Sequence, residues 1–364
     1  MLGSFPTEAL KIVMDLLHSW GVSLAVHLQT EYGVYESWFQ LVSSVADLHT
    51  TFFIFFPIWF HLKRDVSIKL IWVAVVGDWI NLVLKWILSG ERPYWWVHET
   101  RFYSSERVPA LRQVPITCET GPGSPSGHAM GSAGVGYVMV TALISIAAQR
   151  KPPTQFFWCL QMVLWMLLGL VELLVCMSRV YVAAHFPHQV VSGVISGIIV
   201  AEIFSRQQWI YHASLQRYFN ITLFLLIFAV GFYMLLKAVG VDLLWTLEKA
   251  QKWCVNPAWV HMDTTPFASL LRNMGTLFGL GLGLHSPRYT ENKQSRSASF
   301  RIGCIGLSLF ILQLLDSLSF SSNNQVFFYL LSFTKSTVAL LVPTTLVPGG
   351  MSWFLLGIND KKNT

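Results

Sequence analysis

The hydrophobic and polar positions of this chain separate into long apolar runs divided by short polar stretches. A helix crossing the hydrocarbon of a bilayer needs roughly 20 mostly apolar residues. Runs of that kind occupy 38–60, 66–88, 127–148, 156–177, 187–205, 218–237, 266–284, 302–320 and 326–347. The pattern predicts an all-α fold, a polytopic membrane helical bundle with about nine transmembrane helices. Ahead of the first run, "EALKIVMDLLHSWGVSLAVHL" from Glu8 alternates faces at helical spacing, with Ile12, Leu16, Leu17 and Trp20 along one side. Residues 1–30 therefore read either as an amphipathic helix lying on the membrane surface or as a helix packed on the bundle. They lack the basic start, compact apolar run and small-residue exit of a cleavable signal peptide.

Composition agrees with this pattern. Of the 364 residues 53% are hydrophobic and only 12% charged, and the mean hydropathy is +0.50, far from the averages of a soluble domain. Lysine and arginine fix the expected orientation. "HLKRD", "QRKPP", "RQQWIYHASLQR" and "SPRYTENKQSRSASFR" follow the first, third, fifth and seventh runs, so those loops are expected in the cytosol. The intervening loops and the N-terminus then face the lumen, and nine spans put the C-terminus in the cytosol. Topology accounts for the net charge of +6, and no nucleic-acid partner is needed to explain it. The ending "KKNT" looks like a dilysine signal for return to the endoplasmic reticulum, which would make 360–364 a cytoplasmic tail. No internal repeat is visible, and 1–364 reads as one domain.

The five cysteines have no metal-ligand spacing. Cys118 and Cys254 alone fall in the expected luminal loops, where they are either a disulfide or two free thiols. Asn220-Ile221-Thr222 matches a glycosylation sequon, but it adjoins the cytoplasmic side of a span and is expected to be unused.

The costly polar groups are unevenly placed. Asp78, Asn81 and Lys85 share one stripe of the second run, and Arg92 follows just beyond its luminal end. "CETGPGSPSGHAMGSAG" leads into the third run, with Ser126 as N-cap candidate. The backbone N–H groups of such a helix start favour an anion, and His128 stands beside them. "SRVYVAAHFPHQ", between the fourth and fifth runs, adds Arg179, His185 and His188. Two arginines, one lysine, three histidines and a helix start are thus expected on one side of the membrane. Guanidinium and ammonium groups suit a phosphoryl group in transfer, whose charge is spread over its equatorial oxygens. One imidazole can attack phosphorus and another protonate the leaving alkoxide, with no metal required. Trp95 and Trp96 are either interfacial anchors or stacking partners for a sugar. The glycine pairs 127/131, 193/197 and 279/283 read as close helix packing.

Lys85 through Arg92-Pro93, Pro125-Ser126-Gly127-His128, and Ser178-Arg179 followed by His185 together resemble the three-part signature of the type 2 phosphatidic acid phosphatase superfamily. "GDWINLVLKWILSGERPYWWV", "TCETGPGSPSGHAMG", "AAHFPHQVV", "VDLLWTLEKAQKWC" and "HMDTTPFASLLRNMGTLFGLGL" are most similar to the glucose-6-phosphatase catalytic subunits, over nearly the whole chain. "WTLEKAQKWC" looks more like the liver and kidney form than the islet form. The resemblance implies a luminal site in which His185 is the nucleophile and His128 the general acid. Lys85, Arg92, Arg179, Ser126 and Gly127 would bind the phosphate, and no cofactor is implied. The aspartate that the wider superfamily places four residues after the nucleophile is here Gln189, so the His185 ring is oriented either by Asp78 or by a backbone carbonyl. Glu119, Asn273 and Asp263 are candidates for the sugar. The implied reaction is hydrolysis of glucose 6-phosphate in the endoplasmic reticulum lumen, with membrane lipid around the chain and a glucose-6-phosphate transporter as functional partner. A lipid-phosphate phosphatase using the same residues is one alternative. A transporter lined by intramembrane charges is another, although here the cations gather at one face.

Overall fold

The computed structural model of the chain describes residues 5–103, 107–150, 155–242, 245–261, 264–287, 297–318 and 325–362. Among these residues all regular structure is helical. The order is α1 (Phe5–Glu31), α2 (Glu36–Val45), α3 (Leu48–Leu62), α4 (Arg64–Leu88), α5 (Pro93–Glu99), α6 (Gly127–Arg150) and α7 (Gln155–Tyr181). There follow α8 (Pro187–Ser205), α9 (Leu215–Ala238), α10 (Trp245–Trp253), α11 (Pro266–Leu284), α12 (Ala298–Ser317), α13 (Gln325–Leu341) and α14 (Val347–Lys362).

Seven stretches of the described residues are long and apolar enough to cross a membrane, and a bent pair makes an eighth. That pair corrects the first expected span. The run 38–60 is not one helix: α2 and α3 meet at 56° across Ala46-Asp47. Asp47 starts α3 there by accepting a hydrogen bond from the His49 N–H at 2.7 Å, which is what an N-cap carboxylate does. The expected run 266–284 is present as α11, but with Arg272, Asn273 and its glycines it is not among the stretches apolar enough to cross. α11 packs instead against α4, α9 and α13, inside the bundle.

Small residues let the helices approach closely, as expected where lipid gives no hydrophobic push between them. On α8, a Cβ added to Gly197 would lie 2.2 Å from the Met130 carbonyl oxygen of α6, and one added to Gly193 would lie 2.6 Å from that of Ser126. α11 meets α13 in the same way, with Gly279 against the Thr337 carbonyl. A core of Ile68, Leu70, Ile71 and Trp72 on α4 packs with Tyr218 of α9 and Leu277 of α11.

α1 resolves the choice left by its amphipathic pattern. Val22, Ala25 and Leu28 are buried against the bundle, while Ile12, Leu16 and Trp20 remain exposed on the opposite face. Trp95 and Trp96 are likewise structural: both are buried in a cluster with Val22, Tyr94 and Phe186, and neither lines the main cavity.

At one end of the bundle the 107–126 segment is bound down from several sides. Cys118 and Cys254 form a disulfide, Gln113 Nε2 donates to the Trp253 carbonyl at 3.0 Å, and Thr117 Oγ1 donates to the Val182 carbonyl at 2.7 Å. The nearby Lys249 of α10 bonds both Glu91 and Glu99 at 2.9 Å.

Gly197→Val should therefore destabilise the protein by about 1–3 kcal/mol through overpacking. Gly231→Val, at a position with nothing within 4 Å, should change stability by less than about 0.5 kcal/mol; thermal unfolding in detergent compares the two. Cys254→Ser should lower stability by about 2–4 kcal/mol, and reductant should bring the parent protein toward the variant in the same assay.

Candidate active site

Three chain segments deliver the polar groups, each by a local device. α4 ends at Ser89, which takes a left-handed conformation with φ +45°, and its last turn carries Lys85. The chain then runs extended through Arg92, and Pro93 opens α5. The second segment, 118–126, crosses this turn, with the Gly123 N–H donating to the Gly90 carbonyl at 2.7 Å. A Cβ on Gly123 would lie 2.4 Å from the Glu91 carbonyl oxygen, so only glycine fits. The third segment leaves α7, turns at Ala183 with φ +55°, and brings the Ala184 and His185 N–H groups back to the Arg179 carbonyl at 3.2 and 3.3 Å. That turn explains the six-residue spacing, because it sets His185 beside Arg179.

The segments meet around one carboxylate. Arg92 Nη1 donates to Glu119 Oε2 at 2.9 Å, and Arg179 Nη2 pairs with Glu119 Oε1. His128 Nδ1 is 3.7 Å from Oε1, and His185 Nε2 is 3.8 Å from Oε2. Both guanidinium groups are fully buried. Arg92 also donates to the carbonyls of Gly121 at 2.7 Å and Ala184 at 3.1 Å, and Arg179 Nη1 donates to Ser43 Oγ at 3.3 Å. Burial alone would raise the Glu119 pKa, but Arg179 and Arg92 override it and hold the carboxyl well below the usual carboxylate range.

His185 is oriented by a backbone carbonyl. Its Nδ1 lies 2.8 Å from the Gly123 carbonyl oxygen, an acceptor only, so Nδ1 carries the proton and Nε2 keeps its lone pair toward Glu119. Burial, followed by the charges of Arg92 and Arg179, holds His185 neutral, well below an imidazole's ordinary range. Gln189 supports the arrangement. Its Oε1 accepts from the Phe186 N–H at 3.1 Å and its Nε2 donates to the Glu91 carbonyl at 2.7 Å. Asp78 is elsewhere: its Oδ2 accepts from Ser269 Oγ and Asn273 Nδ2, both at 2.5 Å.

The remaining expected residues divide. Lys85, Gly127 and His128 line a cavity of about 780 Å³ together with Arg92 and Glu119. Ser126 precedes α6, but its hydroxyl makes no cap bond; among the described residues it is buried without a hydrogen-bond partner, as is His185 Nε2. Glu119, expected near a sugar, sits among the arginines. Asn273 lines the same cavity, with Asp78, Ser269 and Arg272. His188 does not join the site: it turns toward Phe186 and His18, with ring centroids 5.8 and 5.5 Å away. Asp263 lies outside the described residues.

Sequence reading missed Asp47. Its Oδ2 is 3.4 Å from His128 Nε2 while its Oδ1 caps α3, so the break between α2 and α3 places a carboxylate on the imidazole. An aspartate directly before an apolar run is a helix-start signal, but inside a run of spanning length it was hidden.

The chain is similar to known proteins over nearly all of its length. Residues 66–213 match the PAP2 superfamily model. The chain is 68% identical to glucose-6-phosphatase catalytic subunit 1 of Haplochromis nubilus over 93% of this chain and 97% of that protein. It is 57% identical to the Felis catus protein of the same name, over 96% and 99%, and 47% identical to glucose-6-phosphatase 2 of Mus musculus, over 92% and 96%. No solved structure matches. The cations and imidazoles gathered around Glu119 are thus carried by a chain that belongs to the glucose-6-phosphatase family of PAP2 phosphatases.

Proposed function

We propose that this protein hydrolyses glucose 6-phosphate to glucose and phosphate through a phosphohistidine on His185. The observation that carries the reading is the convergence of Arg92, Arg179, His128 and His185 on one anionic position. In the first step the Nε2 lone pair of His185 forms a bond to phosphorus as the bond to the sugar oxygen breaks, and His128 gives its proton to the departing alkoxide. In the second, His128 takes a proton from water as the water oxygen bonds to phosphorus, and the N–P electron pair returns to His185. Lys85, Arg92, Arg179, the Ser126 hydroxyl and the Gly127 N–H hold the phosphoryl oxygens, which is the cationic stabilisation that phosphoryl transfer needs. These groups make a metal unnecessary to the scheme. Asp47 positions His128, and the Asp78–Ser269–Asn273 wall faces the sugar.

The higher identity to catalytic subunit 1 than to glucose-6-phosphatase 2 supports assignment to the former type. The basic loops support a site on the luminal face of the endoplasmic reticulum, with the N-terminus in the lumen and the C-terminus in the cytosol. The exposed stripe of α1 would rest on membrane lipid. The whole chain, 1–364, acts as one domain, since the site draws on residues from Asp47 to Asn273. A luminal site requires imported substrate, so a glucose-6-phosphate transporter is the functional partner, and the released glucose serves gluconeogenesis and glycogen breakdown.

The purified protein in detergent should release phosphate from glucose 6-phosphate faster than from mannose 6-phosphate or a lysophosphatidate. EDTA should leave the rate unchanged, and His185→Ala should abolish it; release from the lipid alone would replace this reading with that of a lipid phosphatase. Asp47→Asn should lower kcat by about tenfold to a hundredfold, part of what general acid catalysis contributes. KM should hardly move, and Asp47→Glu should recover part of the rate.

A further inference from the structure

His185 and Arg179 are fully buried and are not among the residues that line the large cavity, whereas Glu119, Lys85, Arg92 and His128 are. Glu119 therefore stands between the cavity and the nucleophile. Its two oxygens make the contacts that phosphoryl oxygens would make: one on Arg92, one on Arg179, and each within 4 Å of an imidazole nitrogen. A phosphate and this carboxylate cannot share the position, both for lack of room and because two anions at that separation repel.

We propose that Glu119 is an exchangeable internal anion, which a phosphate group must displace from Arg92 and Arg179 before it can reach His185. The proposal rests on the function proposed above, since it assigns the same ring of cations to phosphate. Exchange is physically favoured for a dianion. It brings a second charge to a site that holds Lys85 as well as the two arginines, and a third oxygen for the Ser126 hydroxyl, which has no hydrogen-bond partner among the described residues. A neutral sugar has nothing to offer the arginines and leaves Glu119 in place. The local chain permits the movement. Glu119 is held by its own carbonyl, which accepts from Tyr94 Oη at 3.1 Å, and by the disulfide at Cys118. Its side chain alone has to rotate toward the cavity that it lines. The carboxylate thus also gives two buried guanidinium groups a shared counter-charge while no phosphate is bound, where otherwise both would be buried unpaired.

The test uses the full-length protein in detergent and orthovanadate as the phosphate mimic. Removing the competing charge in Glu119→Gln should tighten vanadate binding by about tenfold or more, the scale of one charge-assisted hydrogen bond. Diethyl pyrocarbonate, followed by mass spectrometry, should modify His185 faster in the variant than in the parent. Because the variant also loses a buried counter-ion, its thermal midpoint should be lower than the parent's and should rise more on adding vanadate. Unchanged or weaker vanadate binding in Glu119→Gln, with no larger thermal rescue, would show that Glu119 is a fixed partner of the arginines and overturn the exchange. Failure of the parent protein to bind vanadate at all would overturn the phosphate reading beneath it.

Discussion

The pairing of Arg92 and Arg179 through Glu119 is the constraint on which the active end of the molecule depends. Two guanidinium groups with no solvent exposure cannot stay charged without hydrogen-bond acceptors and a counter-charge. Arg92 obtains them from the segment 119–122 and from Ala184, and Arg179 from Glu119 and Ser43. These bonds bring into one place the end of α4, the crossing segment, the α7–α8 turn and α2. The disulfide, the Thr117 bond and the Lys249 ion pairs hold the same segments from outside. Much of the polar chemistry at that end is therefore devoted to keeping positive charge buried and fixed, which is what electrostatic preorganisation requires.

Much of this was legible from the chain because membrane helices are set by length and hydropathy, which are local properties. The helices from 66 onward lie close to the runs that hydropathy marks, α11 being one that does not qualify as a span, and the stripe Asp78–Asn81–Lys85 lines the cavity while Asp78 also bonds Ser269 and Asn273 of α11. What sequence could not show was tertiary. The bend at Asp47 lies in a run apolar enough to pass as one helix, and its purpose appears only when His128 arrives from α6. His188 differs for a related reason. It stands three residues from His185 in sequence, but the direction of a side chain at such a turn depends on what packs behind it. For His188 that is the ring of Phe186 and the buried His18 on α1.

The cavity lining is of two chemical kinds. Lys85, Arg92 and His128 line it with Glu119, and Asp78, tied to Ser269 and Asn273, brings acceptors and donors suited to hydroxyl groups. α11 supplies Ser269 and Asn273, which explains why a helix buried inside the bundle carries Ser269, Arg272 and Asn273. Its lower hydropathy is the trace of that role. The residues matched by the superfamily model end at 213, so Lys85, Arg92, His128, Arg179 and His185 lie within the matched stretch, whereas Ser269, Arg272 and Asn273 of α11 lie outside it.

Gln189 shows how the same charge balance shapes even the departure from the superfamily pattern. An aspartate at this position could accept from the Phe186 N–H as Gln189 does, but it could not donate to the Glu91 carbonyl. The bond that ties the 89–92 turn to the start of α8 would then be lost. A second carboxylate would also face Arg92 and Arg179 from behind His185, weakening their hold on any anion in front of it. With glutamine, the Gly123 carbonyl sets the His185 tautomer and the imidazole stays neutral among cations. Neutral glutamine thus leaves the positive field of the site undivided, and among the described residues the anion in direct contact with both arginines is Glu119, on a side chain that can move.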